Sequence, residues 1–264
     1  MRARVGWVVL AVSGLLAGCN STVQTGSGAS YLAARPEFRP AAGNSVERAV
    51  YDAAKAEPAL RFPARLGLAR IESGRLTAIP PEEGDKWLAL IKSVGTAYGE
   101  FVPISPLVAE MSSAGRQDDT VVDKIRIGAA RQQVDAVLIY EVLQNQRDRG
   151  TVLSLADLTI VGSFLVPSRA IEGQATANAI LIDVRNGYSY GTATSTAQQT
   201  GFVVNSGSGE RARDLAEAAG VDAVGKLAAD VGRMVARLKS ELDTKELTRL
   251  RTAPAQPRVR HARG

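Results

Sequence analysis

Few side chains in this sequence are of a type and spacing that could do chemistry, and the rarest types are the most informative. The 264 residues include one cysteine, Cys19, and one histidine, His261. A hydrolytic triad needs a nucleophile, a base and a group that orients the base. His261 lies in a proline-rich basic stretch, and the chain reads as lacking a G-x-S-x-G elbow, an S-x-x-K pair and a G-x-x-x-x-G-K-[ST] phosphate loop. No pair of carboxylates stands out for acid and base work, and no cluster of His and Cys could hold zinc. "SGSG" at 206 to 209 precedes a helix and could cradle an anion, but reads as a flexible connection. Asp183, just before Asn186-Gly187, reads as turn chemistry rather than as a ligand. We therefore expect no catalytic residues, no metal, no cofactor and no enzyme activity.

Cys19 is different because of what precedes it. Arg2 and Arg4 give a basic start, an apolar run extends from Val5 to Leu16, and the small residues Ala17 and Gly18 follow. That is the layout of a secretory signal. The run is too short to cross a bilayer comfortably, which takes roughly 20 apolar residues. Leu16-Ala17-Gly18-Cys19 resembles the bacterial lipobox, in which the chain is cut between Gly18 and Cys19 and the thiol takes a diacylglycerol. Acyl chains contribute about 0.8 kcal/mol per buried CH₂, so several of them hold a soluble domain on a membrane. Cys19 is the expected lipidation site, and palmitate is an expected acyl group. No second cysteine exists to pair with it, so the domain must be held together by packing alone. Asn20, where an aspartate would favour inner-membrane retention, points to the outer membrane, facing the periplasm.

Charge is unevenly placed. Two of the 32 basic residues precede Cys19 and five (Arg249, Arg251, Arg258, Arg260, Arg263) lie in the last 16, leaving 25 basic against 27 acidic residues in 20–248. A nucleic-acid binder carries a basic face on its fold; here the excess is a tail, and nucleic acid is not an expected partner. The tail can touch anionic headgroups or peptidoglycan, but reads first as a solvated end.

The elements follow from pattern. Residues 1–18 are the signal and 19–44, rich in Ser, Thr, Gly, Ala and Pro, read as a flexible tether. Residues 45–248 form the folded domain and 249–264 a disordered basic tail. Within the domain, Asn44 or Ser45 caps a helix to Ala54, with Glu47 placed for a capping box. Residues 63–73 alternate as a strand. Residues 80–95 form a helix whose Trp87, Leu90, Ile91 and Val94 make one stripe. A strand near 101–107 leads through a turn to a helix over 119–134, capped by Asp118 or Asp119 with Val122, Ile125 and Ala129 inward. "DAVLIYEVL", 135–143, is the apolar run of a strand covered on both faces. Residues 151–168 are apolar apart from Asp157 and read as two strands or a strand and turn, with a partner-facing or membrane-facing surface as the other possibility. Two alternating runs flank Asn186-Gly187, a strong hairpin signal. A long amphipathic helix follows, with Val224, Leu227, Ala228, Val231, Met234, Val235, Leu238 and Leu242 on one face, ending near Thr248. The expected fold class is α/β: a single domain with a mixed β-sheet, helices packed on it, a late β-hairpin and a long C-terminal helix.

"VDAVLIYEV" followed by "LADLTIVGSFLVPSRAIEGQATANAILIDVRNGYSYGTA" resembles the bacterial rhombotarget lipoproteins and, more distantly, the envelope lipoproteins around CsgG, LpoB and the TolB N-terminal domain. The similarity spans roughly 60–240. It implies no enzyme activity and carries over no functional residue beyond the lipidated cysteine. Some rhombotarget members have a Gly-rich, apolar and basic C-terminal sorting signal; the tail here is basic without an apolar span. The expected function is a lipid-anchored, non-catalytic binding or scaffolding module of the envelope with an envelope protein partner. The alternative is a CsgG-like oligomeric component of an export or assembly complex.

Overall fold

The run 136–140 becomes a central strand because it buries side chains on both faces at once. In the computed structural model, which describes residues 20–34, 45–114, 119–150, 169–203 and 208–252, β2 (Ala64–Glu72) and β5 (Ala136–Gly150) lie side by side in parallel, Leu66 opposite Ala136. Leu138 and Tyr140 point into one apolar cluster, Val137 and Ile139 into another. The other strands are β1 (Asn20–Val23), β3 (Arg75–Thr77), β4 (Gly99–Pro103), β6 (Arg169–Asp183) and β7 (Ser189–Val203). They form one seven-stranded mixed sheet in the order β1-β7-β6-β5-β2-β3, with β4 also beside β2. β6 and β7 are the expected hairpin, and Gly187 takes the positive φ of 73° that its turn needs.

Among the described residues six α-helices accompany the sheet: α1 (Gly28–Ala33), α2 (Ser45–Lys55), α3 (Pro81–Val94), α4 (Pro106–Ser112), α5 (Val121–Arg131) and α6 (Ser208–Thr252). With 45 residues, α6 is about 68 Å long at about 1.5 Å per residue. It crosses one face of the sheet with α3 beside it, and its Val224, Leu227, Val231, Met234, Val235 and Leu238 are all buried there. On the other face α5 covers β2 and the start of β5, burying Ile125 and Ala129 against Val137 and Ile139. The α/β single domain, mixed sheet, late hairpin and long final helix are all present.

Several expectations are corrected. The cap of α5 is Thr120, not Asp118 or Asp119: its hydroxyl accepts from Asp123 N, and the Asp123 carboxylate accepts from Thr120 N, a reciprocal capping box. Val122 faces solvent, because the inward stripe is Ile125, Gly128 and Ala129. The strand near 101–107 ends at Pro103, since Ser105 caps and Pro106 opens α4. Of the expected tether, Asn20–Val23 pair with β7 and Gly28–Ala33 form a helix. Residues 35–44 lie outside the described residues, as do 1–19, 151–168 and 253–264.

Candidate functional site

Gly18 and Cys19, the expected cleavage and lipidation positions, lie outside the described residues, and so does His261. What is placed is the stretch immediately after them. Asn20 stands opposite Thr194 and Val23 opposite Gly191 in an antiparallel ladder on the edge of the sheet. Thr22 and Thr192 share a hydroxyl hydrogen bond of 3.0 Å. Gln24 N donates to Tyr190 O at 2.8 Å, and the Tyr188 hydroxyl donates to Gly26 O at 2.8 Å. Thr25 donates to a Glu241 oxygen at 3.0 Å, and the Lys245 amine donates to Thr25 O. Hydrogen bonds from Arg237, then from Thr25, hold the Glu241 carboxyl below its ordinary value. Ser27 and Ala29 N both donate to one Glu57 oxygen, at 2.9 and 2.6 Å. Gly28 packs so tightly on α2 that a Cβ there would lie 2.1 Å from Ala54 O.

A second cluster ties this region to the hairpin turn. Asp183, fully buried, accepts from the backbone N–H of Arg185 at 2.9 Å and of Asn186 at 3.4 Å. The turn reading of Asp183 is thus correct, and its other oxygen accepts from the Tyr190 hydroxyl at 2.8 Å. That hydroxyl in turn accepts from Ala59 N and Leu60 N. Burial, then the hydrogen bond to Asp183 and its charge, push the Tyr190 phenol well above its ordinary value. Burial, then the Glu83 charge and hydrogen bond, push Tyr140 up as well. A free tyrosine ionises near pH 10. A raised folded-state pKa means the stabilisation is fully present below about pH 10 and is lost as pH rises toward the folded value. In an alkaline titration Tyr140 and Tyr190 should ionise together with the loss of circular dichroism; tyrosinate absorbance from both before any unfolding would contradict these environments.

A literal G-x-S-x-G string does occur, contrary to expectation: Gly187-Tyr188-Ser189-Tyr190-Gly191. Its place in the fold removes its chemical meaning. A nucleophile elbow is a strand-to-helix turn, whereas Ser189 opens β7 at the foot of a hairpin. Among the described residues no hydrogen bond joins Ser189 to a base. Arg70 and Glu83, both buried, form an ion pair at 2.9 Å, and the Tyr140 hydroxyl donates to the same Glu83 oxygen at 2.8 Å. Burial works against the Arg70 charge, but the hydrogen bond and charge of Glu83 prevail and raise its pKa. A concavity of about 480 Å³ between β3, α4 and α5 is lined by Arg75, Glu110, Asp119 and Lys124, with Lys124 3.5 Å from Glu110. None of these clusters joins a nucleophile to a base.

The fold defines the class: an α/β domain with a seven-stranded mixed sheet and one long closing helix. No family model and no curated protein matches the sequence. Among solved structures, the chain is similar to PelC from Paraburkholderia phytofirmans, a dodecamer, at 16% identity over 66% of this chain and 91% of that one, TM-score 0.32. It is also similar to a minor lipoprotein from Acinetobacter baumannii, at 10% identity over 66% and 91%, TM-score 0.32. Lipoprotein GNA1162 from Neisseria meningitidis matches at 16% identity over 66% and 99%, TM-score 0.31.

Proposed function

We propose that this chain is a bacterial lipoprotein anchored through Cys19, a non-catalytic binding or scaffolding module on the outer membrane facing the periplasm. The observation that carries the reading is the single thiol placed directly behind a basic start, an apolar run and the small residues Ala17 and Gly18. Among the described residues no helix is long and apolar enough to cross a membrane. The buried charged groups support the non-catalytic part: Arg70, Glu83 and Asp183 are each engaged by internal hydrogen bonds that hold strands, helix and turn together. The resemblance to rhombotarget lipoproteins belongs to the same proposal, as does the envelope protein partner.

Cys19→Ala is expected to move the protein almost completely from the membrane to the soluble fraction and to abolish incorporation of labelled palmitate. Retention of both would overturn the anchor. Light scattering on the detergent-extracted lipidated protein then separates the scaffolding reading from an oligomeric export component. A monomer that crosslinks reproducibly to an envelope protein supports the first; a large defined ring supports the second.

A further inference from the structure

An anchor on a flexible stretch of about 25 residues would let the domain wander roughly 25–30 Å from its lipid. The contacts after Cys19 leave no such slack. Ladder pairing of Asn20–Val23 with β7 is followed by hydrogen bonds at Gln24, Thr25, Gly26, Ser27 and Ala29, reaching β7, α6 and the residues after α2. Gly28 is seated against α2 where any side chain would collide. Asn20 is one Cα step, about 3.8 Å, from the residue that carries the lipid.

Building on the Cys19 anchor, we propose that β1 is a docked strand that fixes the orientation of the domain on the bilayer, holding the edge of β7 against the lipid surface. β1 runs antiparallel to β7, so going back from Val23 to Asn20 leads toward Ser195 and the C-terminal half of β7. Asn20, the residue next to the proposed anchor, therefore lies beside the part of the β7 edge that β1 does not cover. That part is protected from strand addition by side chains of α6. The Lys226 amine donates to Thr196 O at 3.0 Å, and Gln199 is held by Asp222. Arg233, paired with Asp230, stands on the same side of α6 with its side chain 65% exposed. The partner of this edge is thus a phospholipid surface rather than another strand.

The test is a disulfide across the ladder in the full-length lipidated protein. Thr22 and Thr192 are direct partners with hydroxyls in contact, a geometry suited to a bridge. Thr22→Cys/Thr192→Cys should crosslink on mild oxidation to the same near-complete extent in native membranes and in the soluble Cys19→Ala form. Crosslinking at least about tenfold slower in membranes, with palmitate still incorporated, would show that β1 lets go on insertion; the proposal would fall while the anchor stands. Loss of palmitate incorporation would take down both. Hydrogen exchange on the unmodified protein gives a second reading that needs no substitution. The Gln24 amide, bonded to Tyr190 O, should be protected to the same extent in vesicles and in solution, and exchange at the free-peptide rate in vesicles would overturn the proposal.

Discussion

Glu83→Ala is expected to lower the unfolding free energy by about 3–5 kcal/mol, the range seen when one partner of a buried ion pair is removed. A single Glu83 oxygen accepts from both Arg70 Nε and the Tyr140 hydroxyl, so the change takes an acceptor from two buried groups at once. Arg70 keeps Thr77 and Glu72, but the Glu72 side chain is 60% exposed and its attraction is screened by water. Tyr140 keeps its packing on Trp87, ring centroids 5.1 Å apart, and loses its acceptor. Replacing the whole set by apolar residues, Arg70→Met with Glu83→Leu and Tyr140→Phe, should recover most of the loss, because neither a buried charge nor the Tyr140 hydroxyl is then left without its partner. By contrast Glu246→Ala, which breaks an exposed 3.9 Å contact to Arg61, should cost less than about 1 kcal/mol. Urea unfolding followed through Trp87 fluorescence measures all three. A Glu83→Ala cost under about 1 kcal/mol would mean that water reaches this cluster.

The parts of the fold that could be read from the sequence are those whose partners are close in the chain or whose burial is periodic. Asn186-Gly187 announces the β6–β7 hairpin because Gly187 supplies the positive φ within the five-residue connection 184–188. The inward face of α6 is legible because helical spacing and burial coincide over eight positions from Val224 to Leu242. The docked segment 20–33 reads as tether in the sequence for the opposite reason: its fastening is main-chain pairing and hydrogen bonds to Glu57, Tyr188, Tyr190 and Glu241, up to 216 residues away. No apolar period records contacts of that kind. Glu83 looks like one more acid in the first turn of a helix, and only the fold shows that it is buried beneath Arg70 of β2. The candidate anchor is the reverse case, carried by residues 2–19 of the sequence, outside the described residues.

Gly173 carries the other large effect, and its sign depends on backbone rather than side chain. On the face of β6 under α6 the residues are small: Gly173, then the buried Ala175, Ala177 and Ala179, with Gly191, Ala193 and Ala197 on β7 beside them. That row lets α6 lie close to the sheet, and at Gly173 the approach is tightest. A Cβ there would be 2.4 Å from Ala216 N and 2.4 Å from the Leu215 carbonyl carbon. Those atoms belong to a helix backbone and cannot rotate out of the way as a flexible side chain would. The helix must lift, and the burial of Leu215, Ala216 and Ala219 weakens with it. Gly173→Ala should therefore cost about 1–3 kcal/mol and Gly173→Val more, as overpacking does when nothing nearby can yield. Gly84, inside α3 with nothing within 4 Å of its added Cβ, should respond in the opposite sense. Gly84→Ala there gains up to about 1 kcal/mol from reduced backbone freedom in the unfolded chain. Hydrogen exchange on Gly173→Val locates the damage: faster exchange in α6 around 212–219, with 224–238 still protected, is the pattern of a helix pried up at one end. Uniform loss along all of α6 would show instead that helix and sheet open as one unit.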